Sequence, residues 1–101
     1  MNIIETNIED LYIIEPVVFE DSRGAFFEIY NEKIFKKLGL KYEFVQDNQS
    51  FSYFGVIRGL HYQLEPHAQA KLVRAVVGTI LDVAVDLRED SETFGQYFAV
   101  E

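Results

Sequence analysis

From Phe44 to the last residue, turn chemistry cuts the chain at short intervals, and this punctuation constrains the fold more than any other feature. Strand-like runs occupy Phe44–Ser52, Gly55–Leu64, Lys71–Val77, Thr79–Leu87 and Gln96–Val100. Turn signals separate them at Tyr53-Phe54-Gly55, Glu65-Pro66, Val77-Gly78 and Glu89-Asp90. Short strands with a turn every ~8–12 residues pack as a sandwich or a barrel. Upstream, Pro16 interrupts the apolar stretch Ile8–Phe19, which predicts two short strands or a broken edge strand. Asp21-Ser22-Arg23-Gly24 carries turn residues, so Glu20–Phe27 reads as a hairpin corner with Arg23 at its tip, and Ala25–Tyr30 resumes as a strand. One helix is expected over residues 31–39. Asn31 is a good N-cap, Glu32 sits in the first turn, Ile34, Phe35 and Leu38 form the apolar stripe, and Gly39 ends it. The predicted class is all-β with one short helix.

The 101 residues suit one domain, 1–101, and nine Phe and six Tyr supply material for a core. The chain contains no cysteine, which excludes a disulfide framework and a thiolate zinc site. A net charge of −8 argues against nucleic acid, because binding phosphate backbones needs a basic surface. No secretion signal and no apolar run of membrane length is visible, so a cytoplasmic protein without a membrane partner is expected. The nine cations are unevenly placed. Lys33, Lys36, Lys37 and Lys41 fall in the helix and its exit, whereas Arg23, Arg58, Lys71, Arg74 and Arg88 lie in or beside strand-like runs. Cations among the strands of an acidic protein suit a local anion site, although solvent-facing strand positions also accommodate them.

The segment densest in reactive side chains is Gly55-Val-Ile-Arg-Gly-Leu-His-Tyr-Gln63. On a strand, His61 and Gln63 share one face; further on, Lys71, Val73, Ala75 and Val77 share another. A lysine in such company either snorkels to water from a strand end or works in a pocket. The spacing Gly55-x5-His61-x-Gln63-x7-Lys71-x6-Gly78 resembles the first motif of the cupin jelly roll. In metal-binding cupins that motif places two histidines and a glutamate around a divalent ion. Here Gln63 and Lys71 stand at the second and third ligand positions. An ammonium has no lone pair to give and repels a cation, so a metal-free site is expected. Without a metal, this residue set suits removal of a proton from carbon beside a carbonyl. Imidazole, with a reference pKa near ~6.5, is a fitting base at cell pH. Lys71 or Arg58 can then support the enolate oxygen. The structural alternative for His61 is a hydrogen-bonded core histidine; His67, beside Pro66, reads as a solvated loop residue.

Asp21-Ser-Arg-Gly-Ala-Phe-Phe-Glu28, Phe44-Val-Gln-Asp-Asn-Gln-Ser50, Arg58-Gly-Leu-His-Tyr-Gln63, Lys71-Leu-Val-Arg74, Asp82-Val-Ala-Val-Asp-Leu-Arg88 and Ser91-Glu-Thr-Phe-Gly95 together resemble the dTDP-4-dehydrorhamnose 3,5-epimerase family. The matches run in order along nearly the whole chain. The resemblance implies a cupin-type jelly roll, a homodimer with strands exchanged between subunits, and cofactor-free inversion of C3 and C5 of dTDP-4-keto-6-deoxyglucose on the way to dTDP-rhamnose. It further implies that His61 is the base and that Lys71 and Arg58 support the enolate and substrate. Arg23, Glu28, Gln46 and Asn48 would contact the nucleotide sugar, some of them from the neighbouring subunit. Phe26 is either a stacking residue near the nucleotide or an ordinary core residue.

The family's chain is considerably longer, and its second half carries the tyrosine proton donor, an aspartate that pairs with the base, a further histidine and a second cupin motif. Tyr53, Tyr62 and Tyr97 do not stand in that context. Asp82 and Asp86 share one strand face, where Asp82 is a candidate partner for His61, but solvated or structural carboxylates are the expected reading. The chain therefore carries the base half of the site and not the acid half, in a jelly roll incomplete relative to the family. Unpaired edges are expected along Thr79–Leu87 and Gln96–Val100, with oligomerisation or aggregation and little turnover as the consequence. Two further readings remain open: a non-catalytic sugar-nucleotide-binding module, and a related keto-sugar epimerase or isomerase.

Overall fold

The computed structural model describes all residues, Met1–Glu101. Six short strands close two by two, each with its nearest neighbour along the chain. β1 (Asn2–Glu5) pairs antiparallel with β2 (Tyr12–Glu15), β3 (Val18–Asp21) with β4 (Gly24–Phe27), and β5 (Asp82–Val85) with β6 (Tyr97–Val100). The helix α1 (Glu32–Lys37) lies between the second and third hairpins. The class is all-β with one short helix, as the punctuation predicts. Pro16 separates β2 from β3, and the two-residue turn Ser22-Arg23 joins β3 to β4 at the predicted corner. β1 carries no signal that the sequence reading used, because Ile3-Ile4 is too short a run to show alternation; it forms against Ile13 and Ile14.

α1 is stabilised at both ends by groups only a few residues away. Asn31 Oδ1 accepts hydrogen bonds from the backbone N–H groups of Lys33 and Ile34, at 3.0 and 3.3 Å, which satisfies two donors the first turn leaves free. At the other end Gly39 takes a φ of +86°, a left-handed conformation that glycine adopts without a Cβ penalty. Leu40 N–H then donates to Phe35 C=O and Gly39 N–H to Lys36 C=O, completing a Schellman motif. Its hydrophobic contact is present too, since Phe35 and Leu40 are both buried. Tyr30 and Phe44 pack edge-on against this pair, with Tyr30–Phe35 and Tyr30–Phe44 ring centroids 4.8 and 5.3 Å apart. This aromatic knot, with Ile8, is the core.

A second closed unit forms where β5 turns into β6. Asp86 N–H donates to Gln96 C=O and Gly95 N–H to Asp86 C=O, extending the ladder by one pair. The Asp86 side chain is buried and fully engaged. Arg88 Nε donates to Oδ1 at 2.9 Å and Arg88 Nη2 to Oδ2 at 2.9 Å. The hydroxyls of Ser91 and Thr93 donate to Oδ2 at 2.5 and 2.7 Å. Arg88 Nη2 also donates to Glu9 C=O at 2.9 Å, which ties this turn to the β1–β2 loop across 79 residues of sequence. Inside that loop Thr6 Oγ1 accepts from Ile8 N–H and donates to Leu11 C=O.

Two expectations are corrected. The runs Phe44–Ser52, Gly55–Leu64 and Lys71–Val77 form no strands; their only backbone hydrogen bonds are the turns Val56 N–H to Tyr53 C=O and His67 N–H to Leu64 C=O. A strand exists only with a partner ladder, and none of the 101 residues supplies one here. Conversely, Thr79–Leu87 and Gln96–Val100 are not wholly unpaired: β5 and β6 pair with each other from Asp82↔Val100 to Val85↔Tyr97, and each keeps an unpaired edge on its outer side. The locked Asp86 turn brings them together. The whole chain makes 27 backbone–backbone hydrogen bonds, against roughly 65–70 for an ordinary fold of this length. Its radius of gyration is 15.4 Å, where about 13 Å is usual. No helix is long and apolar enough to cross a membrane.

Candidate functional site

The residues singled out for recognition are each held by a near neighbour. Arg23, at the β3–β4 tip, donates through its backbone N–H to Asp21 Oδ1 at 2.8 Å and through Nη2 to Asp21 Oδ2 at 2.6 Å. The Arg23 guanidinium, helped by that backbone N–H, holds the Asp21 carboxyl below its ordinary value. Glu28 follows β4 directly, and its Oε2 accepts from Asn31 Nδ2 at 3.1 Å, so the residue that caps α1 also orients Glu28. Gln46 Nε2 donates to Asn48 Oδ1 at 3.3 Å, setting two amides side by side.

Arg58 is anchored across a tight turn. Gly55 takes a φ of +82°, and Val56 N–H closes onto Tyr53 C=O at 3.3 Å. The turn brings Phe51 and Ser52 beside Arg58, whose Nε donates to Ser52 Oγ at 2.9 Å and whose Nη2 donates to Phe51 C=O at 3.1 Å. Sequence reasoning missed these supports. The signal for them is Ser52-x-x-Gly55-x-x-Arg58, a hydroxyl and a cation placed symmetrically about a turn glycine.

His61 and Lys71 differ from these residues. Neither makes a hydrogen bond or ion pair with any other side chain, and neither is joined to Arg58. Gly59 lies against the His61 ring; a Cβ at position 59 would stand 3.7 Å from His61 Nδ1. All seven residues, Arg23, Glu28, Gln46, Asn48, Arg58, His61 and Lys71, are exposed. Asp82 makes no bond to His61. It faces Val100 in the β5–β6 ladder and borders a cleft of about 430 Å³ with Arg74 and Glu101. Asp86 is the structural carboxylate of the pair. Phe26 is exposed opposite Phe19 on the β3–β4 hairpin and takes no part in the core of this chain.

A larger cleft of about 660 Å³, lined by Ile3, Tyr12, Leu38 and Leu40 among others, contains none of the seven. No group of three or more His, Asp or Glu side chains converges where it could hold a metal ion. The chemistry on offer is that of an exposed imidazole, an exposed ammonium, an anchored guanidinium and a pair of hydrogen-bonded amides, which no contact within the chain draws into one cluster. Such a set suits an anionic, carbonyl-bearing ligand.

Residues 5–101 match the family model described as dTDP-4-dehydrorhamnose 3,5-epimerase. The Shigella flexneri protein of that name is 59% identical over 101 residues, covering 99% of this chain and 56% of its own. The crystal structure of the Elizabethkingia anophelis protein of that name superimposes with a TM-score of 0.92 at 58% identity, over 99% of this chain and 55% of that one. The Bacillus anthracis protein, solved with TDP and PPi bound, gives 0.94 at 50% identity, over 98% and 57%. The chain therefore spans about half the length of the relatives it matches. At such scores residues 44–77 follow the backbone path they take in those cupin-like folds, even where no ladder partner is present.

Proposed function

This chain belongs to the dTDP-4-dehydrorhamnose 3,5-epimerase family, and we propose that it supplies the base half of an epimerase site acting on dTDP-4-keto-6-deoxyglucose in dTDP-rhamnose biosynthesis. His61 removes the proton from C3 or C5, beside the C4 ketone. The C–H electron pair moves onto the C4 oxygen as an enolate, which Lys71 and Arg58 stabilise. Return of a proton to the opposite face inverts the centre. The donor for that step is not among the seven residues, and Tyr53, Tyr62 and Tyr97 are given no such role. Arg23, Glu28, Gln46 and Asn48 hold the nucleotide sugar; the TDP bound to the Bacillus anthracis relative supports a thymidine nucleotide as the ligand.

The observation that carries this reading is the division between anchored and uncommitted groups. Arg23, Glu28 and Arg58 are oriented by Asp21, Asn31 and Ser52, as recognition requires, whereas His61 and Lys71 are engaged by nothing in the chain and stay available to a ligand. The same reading makes residues 1–101 the N-terminal part of one jelly-roll domain, working in the cytoplasm without a cofactor. Its unladdered segment is paired in a homodimer that exchanges strands.

The test is solvent exchange. In deuterated water, His61→Ala in a chain with an intact C-terminal half should slow entry of deuterium at C3 and C5 by on the order of 10²–10⁴-fold, while binding of dTDP changes little. Exchange at the unmodified rate would move the base elsewhere. Tight dTDP-sugar binding with no exchange in the unmodified chain would favour a binding module.

A further inference from the structure

We propose that Ser52 is a positioning residue for Arg58, fixing which face of the guanidinium meets the substrate. The inference rests on Arg58 being a substrate-binding residue, as proposed above. Arginine carries five N–H donors in a planar fork. Arg58 Nε donates to Ser52 Oγ at 2.9 Å and Nη2 to Phe51 C=O at 3.1 Å. Both donors lie on the side-on edge of the plane, so that edge is filled from within the chain. The end-on fork, made of Nη1 and the second Nη2 N–H, remains free. An end-on fork matches two oxygens held side by side, as on a phosphate or on an enolate oxygen and its neighbouring hydroxyl.

The arrangement is built by the turn. Gly55, at φ +82°, lets residues 51–52 double back on Arg58, and Val56 N–H to Tyr53 C=O closes the bend. Of the two anchors only Ser52 is a side chain, so only Ser52 can be varied without disturbing the backbone. An arginine left free loses rotamer freedom when a ligand immobilises it; one already held at Nε loses less. Ser52 therefore acts through Arg58 and touches no reacting atom.

Ser52→Ala and Ser52→Thr test this with two readouts. The first is the Arg58 side-chain Nε–H signal in ¹⁵N NMR of the ligand-free chain, which is independent of any activity. A slowly exchanging signal is expected in the unmodified chain and in Ser52→Thr, and its loss in Ser52→Ala. The second is the rate of solvent-deuterium entry into dTDP-4-keto-6-deoxyglucose. Ser52→Ala should lower kcat/KM about ten-fold, Ser52→Thr should restore it, and the thermal midpoint should not move because Ser52 is exposed. A persistent Nε–H signal in Ser52→Ala overturns the proposal, and so does loss of the signal with unchanged kcat/KM. Signal loss in Ser52→Ala, with no exchange by the unmodified chain, leaves the Arg58 anchor standing and sinks the epimerase reading instead.

Discussion

Residues 86–96 are much poorer in apolar side chains than residues 44–77, yet the first region closes and the second does not. In the first, a buried carboxylate meets five donors, four of them side-chain groups of Arg88, Ser91 and Thr93, all within seven residues. In the second, Ile57 and Val77 are 93% and 92% exposed and the backbone pairs only at two turns. The difference lies in where the partners are. A turn that carries its own donors and acceptors closes at small loop entropy, whereas a central strand must wait for a ladder from elsewhere. The proposed base and lysine sit in the open region, and the groups that fix the frame sit in the closed ones.

The contrast is broken most severely at Phe35. It is 1% exposed, and Phe35→Ala should cost about 3–5 kcal/mol in a urea melt, since α1 and the Tyr30–Phe44 cluster both pack on it. A loss under about 1 kcal/mol would mean that the aromatic knot is not the core in solution.

Asp86 comes next. The Arg88 guanidinium first, then the Ser91 and Thr93 hydroxyls, hold its carboxyl far below the ordinary carboxylate range. A carboxyl depressed in the folded state adds stability that is complete above its unfolded value, near ~3.9, and is lost as pH falls toward the folded value. Stability followed by circular dichroism should therefore decline below about pH 4. Asp86→Asn should destabilise at neutral pH and lack that component of the acid slope. Equal acid slopes would place the carboxylate in water.

Smaller effects sharpen the comparison. Asn31→Ala should cost about 1 kcal/mol through loss of the helix cap, and it should also release Glu28, weakening dTDP binding. Ile57→Ser or Val77→Ser should stay within about 0.5 kcal/mol in the lone chain, where those side chains face water. A larger penalty would show that they are covered by a second copy. Hydrogen exchange reads the same division directly: slow amides are expected in β1, β2, β5 and β6, and residues 44–52 and 71–77 should exchange fast in the lone chain and become protected once a homodimer pairs them.

Legibility in the sequence follows the same boundary. The helix was readable because Asn31 and Gly39 act on backbone groups no more than five residues away. The β3–β4 corner was readable because Asp21, Ser22 and Gly24 carry turn chemistry of their own. Strands over 44–52, 55–64 and 71–77 were expected from composition, but β-branched and aromatic residues report only that a segment suits a sheet. Among the candidate site residues, the identities of Arg58, His61 and Lys71 stood out by spacing, while the anchoring of Arg58 by Ser52 did not, because it depends on how the Gly55 turn bends.

The sequence by itself determined the chemical inventory: no thiol, a lysine at the third ligand position of the cupin motif that the spacing resembles, a histidine three residues after an arginine, and the hairpins and helix whose caps and turns are local. Tertiary structure alone decided that β5 and β6 pair with each other, that Asp86 rather than Asp82 is the buried acid, and that Arg88 binds the β1–β2 loop 79 residues away. Local order arises from groups that cannot escape one another along the chain. Ladders, burial and long-range ion pairs depend on which distant surfaces come to exclude water together, and no single segment carries that information.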